Sequence, residues 1–166
     1  MARFPVNTHR QDPYRNFKFI VKWDGEPIAD VSRISGLGRT TEAIAHRDGG
    51  HVSSPRVAPG VTGFPPLVLD RALTHDTAFE DWAKLAWNNQ GDQAMSLKDY
   101  RKDIQIEIRN LQGQTALAFT VFRCWVSEYH PFLVLDANDS AMVIERLVIQ
   151  HEGWDRDLAV SEPTET

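Results

Sequence analysis

Between Arg101 and Trp125 the chain alternates more regularly than anywhere else. Ile104, Ile106 and Ile108 take turns with Asp103, Gln105, Glu107 and Arg109, the period of a strand with one dry face and one wet face. Leu111-Gln112-Gly113-Gln114 interrupts the pattern, and the run TALAFTVFRCW over 115–125 follows. That run is apolar on both alternating faces, which predicts a more enclosed strand. Together they predict an antiparallel hairpin with a short Gly-containing turn, whose dry face the rest of the chain must cover.

Other strands follow from the same reading. Over residues 16–23, Phe17, Phe19, Val21 and Trp23 share one side and Lys18, Ile20 and Lys22 the other. Asp24-Gly25 is a favoured tight-turn pair, and residues 28–37 return with Val31, Ile34 and Leu37 in a broken alternation that a bulge explains. A short strand is expected at 40–46. Residues 48–60 are rich in Gly, Pro and polar groups and predict an extended loop or hairpin reaching out from the body. Leu67, Val68 and Leu69 mark a strand within 64–73, and residues 142–151 mark the last one. Residues 125–132 contain Tyr129, His130 and Pro131 and predict a bend or a crossing between sheets.

A helix is expected near 76–89. Phe79, Trp82, Ala83, Ala86 and Trp87 recur at three- and four-residue spacing as its core stripe. Thr77 with Glu80 has the spacing of a capping box. The pattern predicts an all-β fold with one flanking α-helix: antiparallel sheets packed as a compact β-barrel or sandwich. The 166 residues suffice for one domain, read as a flexible N-terminal arm over 1–15, a single β domain over 16–154 and a flexible C-terminal tail over 155–166.

Charge and chemistry narrow the function by exclusion. A net charge of -5 without a long basic block argues against a dedicated nucleic-acid binder. The single cysteine, Cys124, lies in an apolar strand and reads as a small buried hydrophobe. The six histidines are scattered, without paired cysteines or an H-E-x-x-H spacing, so no metal or other cofactor is expected. His46, Asp48 and His51 share one loop and read as polar surface. Gly36-Leu37-Gly38 and the Gly60–Gly63 run lack the Lys-Ser/Thr of a phosphate loop, and the serines at 32, 35, 53 and 54 lack a nucleophile elbow. No enzyme is expected. The absence of a leader-like start predicts synthesis in the bacterial cytoplasm, and without a long apolar run no stable membrane insertion is expected of the free subunit. Asn138-Asp139-Ser140 fits a glycosylation pattern that means little without secretion.

Large side chains on both faces of 115–125 and 142–151 exceed what one small interior is expected to hide, which favours self-association. A soluble barrel binding a small molecule, with an interior pocket lined by Phe119, Val121 and Trp125, is the alternative.

The order of segments NFKFIVKWDGEPIADVSRISGL, TTEAIAHRDGG, PGVTGFPPLVLDRALTHD, FEDWAKLAW, RKDIQIEIRN and VIERLVIQHEGW resembles the tail tube (inner tube) protein family of contractile phages and related contractile injection systems. The resemblance covers 16–154 and implies two packed antiparallel sheets closing into a barrel. It implies hexameric rings stacked into a rigid tube inside a sheath protein, with baseplate, spike and tube-terminating proteins at the ends and protein or DNA cargo in the lumen. The particle would be a phage tail or a phage tail-like particle, cytoplasmic, envelope-associated or released.

Residue assignments follow from that resemblance. Asp48, Gly49, Gly50, His51, Arg56 and Gly60 would form the ring-stacking loop, although it is less basic than the family pattern. Phe17, Phe19, Val21, Trp23, Val143, Leu147 and Ile149 would form the inter-subunit strands. The wet faces offer Lys18, Lys22, Gln105, Glu107 and Arg109 to the lumen, with a cross-strand or inter-subunit ion pair between Lys18 and Glu107 as the other use of that face.

Overall fold

The computed structural model describes residues 18–28, 30–47, 49–50, 56–87, 99–161 and 163. Strand β1 (Phe19–Trp23) turns through Asp24 and Gly25, both at positive φ, into β2 (Glu26–Ile28). This is the two-residue Asp-Gly hairpin expected from the sequence, because only such residues accept the left-handed turn that matches strand twist. Asp30, also at positive φ, then redirects the chain into β3 (Val31–Ser35). After β4 (Thr40–His46) and β5 (Arg56–Gly63) come β6 (Leu67–Ala72), α1 (Ala78–Ala86), β7 (Lys102–Arg109), β8 (Thr115–His130), β9 (Ile144–Gln150) and β10 (Trp154–Arg156).

The main sheet runs β2-β1-β7-β8-β9-β6-β3, entirely antiparallel. Its two end strands, β2 and β3, are consecutive in sequence and only two residues apart. The sheet therefore wraps round as a flattened barrel whose two ends come together at that short connection, with no ladder joining β2 to β3 among the described residues. Strand β10 continues alongside β8 where β9 leaves off. The ordered body thus passes the predicted boundary at 154: Trp154 packs edge-on to Phe119 at 6.0 Å and donates its indole N–H to Gly38 O at 2.9 Å. The Asp157 N–H, beyond the end of β10, still bonds Ala118 O.

Strand β8 is 16 residues long and belongs to both halves of the barrel. Its first part pairs with β7 and its last part with β9. Arg123 sits at φ 51 and gives its backbone N–H to Asp103 Oδ1 at 2.8 Å, a bulge that turns the strand. A second register shift falls between Val126 and Glu128. Each extra residue moves the inward phase by one position. The buried side therefore passes from Val121 to Cys124 and Val126 and on to the partly buried Tyr129. Before the first bulge both faces of the run are covered: Phe119 packs against the core with Val121, while Ala116 and Ala118, on the opposite phase, are buried as well.

The interior holds Val21, Leu67, Leu69, Ile104, Val121, Leu147 and Ile149 with no exposed surface. Helix α1 closes one side with Phe79 and Trp82, each contributing about 1.5–3 kcal/mol of burial. Trp23 meets their rings at 5.8 and 4.7 Å, and the Trp82 indole donates to Tyr100 O at 2.9 Å. The helix is shorter than the span near 76–89 expected from its pattern. No Thr77–Glu80 box forms: Asp76 Oδ1 accepts the Ala78 N–H at 2.9 Å, Thr77 donates its hydroxyl to Asp81, and Glu80 pairs with Lys84. Ala83 and Ala86 are half-buried. Trp87 leaves the predicted stripe altogether, because the backbone turns extended there and exposes 70% of it.

Candidate functional site

The most prominent surface feature is the two-stranded sheet formed by β4 and β5, which pair only with each other. Ala43 faces Pro59, and Ala45 faces Val57. By strand alternation these four residues share one face, and all are exposed. Ile44 and Ala58 face the other side, with His46 and Arg56 beyond them. The predicted projecting loop at 48–60 is therefore the outer part of a longer hairpin arm. Its second strand was hidden in sequence by Pro59 and Gly60. Gly49 and Gly50 lie at the turn, Arg56 and Gly60 stand in β5, and Asp48 and His51 lie outside the described residues. Gly60 makes room for its neighbour across the pair: a Cβ there would stand 2.9 Å from two Ile44 side-chain carbons.

The five residues assigned to the lumen do converge on the outer face of β1 and β7. Ile20 is opposite Glu107 and Lys22 opposite Gln105. Glu107, however, is not a wet residue of this subunit. It is 6% exposed, and its carboxylate accepts Lys22 Nζ at 2.5 Å and Thr115 Oγ1 at 3.1 Å, with Arg109 Nη2 at 3.5 Å. Burial pushes the Glu107 pKa up, but the Lys22 and Thr115 hydrogen bonds and the Lys22 charge outweigh it and hold the acid below its ordinary value. The ion pair weighed for this face joins Glu107 to Lys22 instead of Lys18, whose ammonium donates to Leu111 O.

The inner faces of the strands assigned to subunit contacts are already occupied. Val21, Trp23, Leu147 and Ile149 are buried in the barrel, Phe19 packs against that core, and Val143 is half-buried. Phe17 lies outside the described residues. Residues 116–121 of β8 are covered on both faces, Val121 by the core and Ala116 and Ala118 on the opposite side, so the excess of apolar faces inferred from periodicity is taken up there within the subunit. Large apolar side chains stay uncovered on the arm, over residues 131–143 between β8 and β9, where Phe132, Val134, Leu135 and Met142 are 50–79% exposed, and at Trp87, Leu111 and Leu158.

Sequence periodicity also missed a buried polar cluster. Arg71 (1% exposed) and Glu145 (2%) are cross-strand partners joined by an ion pair. Arg71 also donates to Asp76 Oδ2 at 3.1 Å and to Asp76 O at 2.6 Å, and its guanidinium lies 4.1 Å from the Phe79 ring centre. Tyr129 OH donates to Glu145 Oε2 at 3.1 Å. Burial, followed by the Glu145 charge, pushes this phenol up to about 12. The cluster ties the start of α1 to β6, β8 and β9. The only sequence signal was a charged residue at an inward position of each strand.

The interior pocket needed by a small-molecule-binding barrel does not form. Val121 is packed in the core, Phe119 meets Trp154, and Trp125 instead lines an open groove of about 700 Å³ between α1 and β8, beside Trp87 and Tyr100. Among the described residues no group of three His, Cys, Asp or Glu side chains is placed to hold a metal ion, and no helix is long and apolar enough to cross a membrane. Cys124 is buried, and desolvation pushes its thiol up to about 12.

An antiparallel barrel that covers its own core while holding out an apolar arm is a building block for assembly. The family whose model describes "T4-like virus tail tube protein gp19" matches residues 15–155, and the chain belongs to that family. That family is one of tail tube proteins, structural parts of a virus tail. The fold is similar to a chain of the PVC extracellular contractile injection system sheath-tube complex in the extended state, with 19% identity, 94% of this chain and 99% of that chain covered, and a TM-score of 0.74. It is equally similar to a chain of the anti-feeding prophage tube terminating cap, with 19% identity, coverage of 93% and 99%, and a TM-score of 0.74. Hcp1 from Flavobacterium johnsoniae is more distant, at 16% identity, coverage of 84% and 94%, and a TM-score of 0.50. No curated protein sequence matches the chain.

Proposed function

We propose that the chain assembles into hexameric rings that stack as the rigid tube pushed through a target envelope, with sheath outside and baseplate, spike and terminating proteins at the ends. The observation that carries this reading is the arm: it pairs only with itself, is exposed along nearly its whole length and presents an apolar face. A monomer gains nothing from holding such a face in water, whereas a ring or stack covers it. Structures of related fold come from a sheath-tube complex and from a baseplate with 6-fold symmetry imposed, which supports both the hexamer and the partners.

The arm, including Asp48, Gly49, Gly50, His51, Arg56 and Gly60, is assigned to stacking between rings. Contacts around the ring are assigned to the outward side of β9, where Val148 is half-buried, together with Val143. Lys18, Lys22, Gln105 and Arg109 are assigned to the lumen wall, with Glu107 beneath them as the acid that fixes Lys22. A mixed, hydrated wall of this kind lets DNA or protein cargo pass without strong adhesion. The body extends from 16 to at least 157, between terminal extensions. Assembly is assigned to the bacterial cytoplasm and the final location to a phage tail or tail-like particle. Negative-stain microscopy of the concentrated protein is expected to show rings of six and stacked tubes. Compact monomers alone, at every salt concentration and with tail partners present, would refute the reading.

A further inference from the structure

The turn between β9 and β10, His151-Glu152-Gly153-Trp154, touches both stems of the arm. The stems are residues 36–39, which lead into β4, and residues 64–66, which lead out of β5. On the outgoing stem, His151 Nε2 lies 3.1 Å from Pro65 O. A carbonyl oxygen only accepts, so this nitrogen carries the hydrogen and donates. The same imidazole faces the Phe64 ring, with centroids 5.6 Å apart. Its buried Nδ1 has no partner among the described residues, which leaves the bond to Pro65 to orient the ring. On the incoming stem, the Trp154 indole N–H donates to Gly38 O at 2.9 Å. Gly38 stands two residues before Thr40 and Pro65 two residues after Gly63, and Thr40 and Gly63 are the first cross-strand pair of the arm. The two bonds therefore grip at the same height, one on each stem.

The turn itself is fixed to the barrel. The Glu152 N–H donates to Phe122 O at 3.1 Å, and the Phe122 N–H to Gly153 O at 2.9 Å. The Glu152 carboxylate accepts Arg101 and, at 3.2 Å, Arg123. Trp154 is the ladder partner of Val121, and its ring lies edge-on to Phe119. The arm has no such support of its own. A two-stranded ribbon is marginal by itself, and among the described residues no ladder joins β4 or β5 to the barrel. With 7 residues in β4, at about 3.3 Å per residue, the arm is roughly 23 Å long, and a swing of about 10° at the stems carries its tip roughly 4 Å. That exceeds what a hydrogen bond tolerates, and an arm free to swing would lose that freedom on docking, at a cost to affinity.

We propose that the 151–154 turn sets the direction of the arm, with His151 and Trp154 as positioning residues that hold its two stems. This deepens the tube reading and rests on it for its consequence, that the arm meets its neighbour already aimed.

The test reads the arm-to-body distance in the full chain, below the concentration at which rings form. Nitroxide labels go on Val57→Cys in the arm and Leu111→Cys in the β7–β8 turn, both exposed, and pulsed electron paramagnetic resonance gives the distance distribution. Cys124 is buried and its thiol is pushed up to about 12, so it stays unlabelled. A narrow distribution is expected with the turn intact, and one about twofold wider in His151→Leu with Trp154→Phe. That pair of changes removes both N–H donors and keeps an aromatic ring against Phe119. His151→Gln retains a side-chain N–H for Pro65 O and is expected to keep the distribution narrow. A purely structural role would lower the melting temperature and leave the distance in the folded chain unchanged, and that result overturns the proposal. If the double variant does not fold, Trp154→Phe is compared with His151→Gln, and equal widths overturn it. Without labels, the double variant is expected to need about tenfold more protein to form tubes. Tubes at the wild-type concentration despite a wide distribution refute stacking by the arm and leave the positioning role standing. If the unmodified chain forms neither rings nor tubes, the tube reading fails, and the distance measurement still decides the role of the turn.

Discussion

At the scale of single residues, two buried acids hold the barrel together in different ways, and each makes a separate prediction. Glu145 is deep and faces Arg71, so their attraction offsets a large desolvation cost and leaves little net gain. Removing one partner is therefore far worse than removing both. Glu145→Ala is expected to cost about 3–5 kcal/mol because Arg71 would remain buried with only the exposed Asp76 carboxylate to face. Glu145→Leu combined with Arg71→Met should recover most of that loss, and urea unfolding of the two variants checks the difference. Loss in the double variant equal to that in the single would show that the charge is not what matters. Glu107 lies nearer the surface, and its folded pKa is depressed. A group of this kind stabilises the fold fully above the ordinary carboxylate pKa and loses that contribution as pH falls through the lower folded value. Wild type should thus lose more stability than Glu107→Gln between neutral pH and about pH 3, while at neutral pH the substitution should cost about 1–3 kcal/mol. Parallel pH profiles for the two proteins would show that the Lys22 and Thr115 hydrogen bonds do not favour the ionised acid.

At the scale of elements, the arm and the barrel are separable. Strands β4 and β5 bond only to each other and contribute no residue to the core. Replacing residues 42–61 with a short Gly-containing turn is expected to leave the melting temperature within a few degrees of wild type while abolishing tubes, as followed by calorimetry and microscopy. Unfolding of the shortened chain would mean that the arm supports the body. The same separation explains what the sequence made legible. Strands β1 and β7 could be read from alternation, as could Phe79 and Trp82 on α1. Strand β9 carries Val148 on the side away from Leu147 and Ile149 and so looked apolar on both faces. In β8 the bulges at Arg123 and between Val126 and Glu128 reset the phase without any Gly or Pro to mark them, and ahead of them Ala116 and Ala118 are buried on the face opposite Val121. Strand β5 escaped because it has no core to alternate against. Glu107 misled because a charged residue reads as wet, and Arg71 was given no reading; only cross-strand neighbours show that both are enclosed. The candidate surfaces were thus located by segment order more than by periodicity, and Val21, Trp23, Leu147 and Ile149, assigned to subunit contact, are core residues of the subunit itself.

At the scale of the whole molecule, where the core lies decides how assembly must proceed. Had β8 and β9 left apolar faces open, the subunit would need its neighbours in order to fold, and folding and association would be one transition. Instead the core lies within one chain, and the large apolar residues left uncovered, on the arm, over 131–143 and at Trp87, Leu111 and Leu158, can be exposed without opening it. On the proposed function, the subunit is expected to be a folded monomer first and a tube component second. Below the concentration at which rings form, thermal unfolding should be a single cooperative transition whose midpoint does not move with dilution. Above it, the midpoint should rise with concentration by mass action, since assembly binds the folded state alone. The arm-shortened chain should show the lower, concentration-independent midpoint throughout. Calorimetry over a dilution series, read beside sedimentation of the same samples, separates the cases. A midpoint that keeps falling with dilution after all rings have gone would mean that the barrel does not hold without a partner.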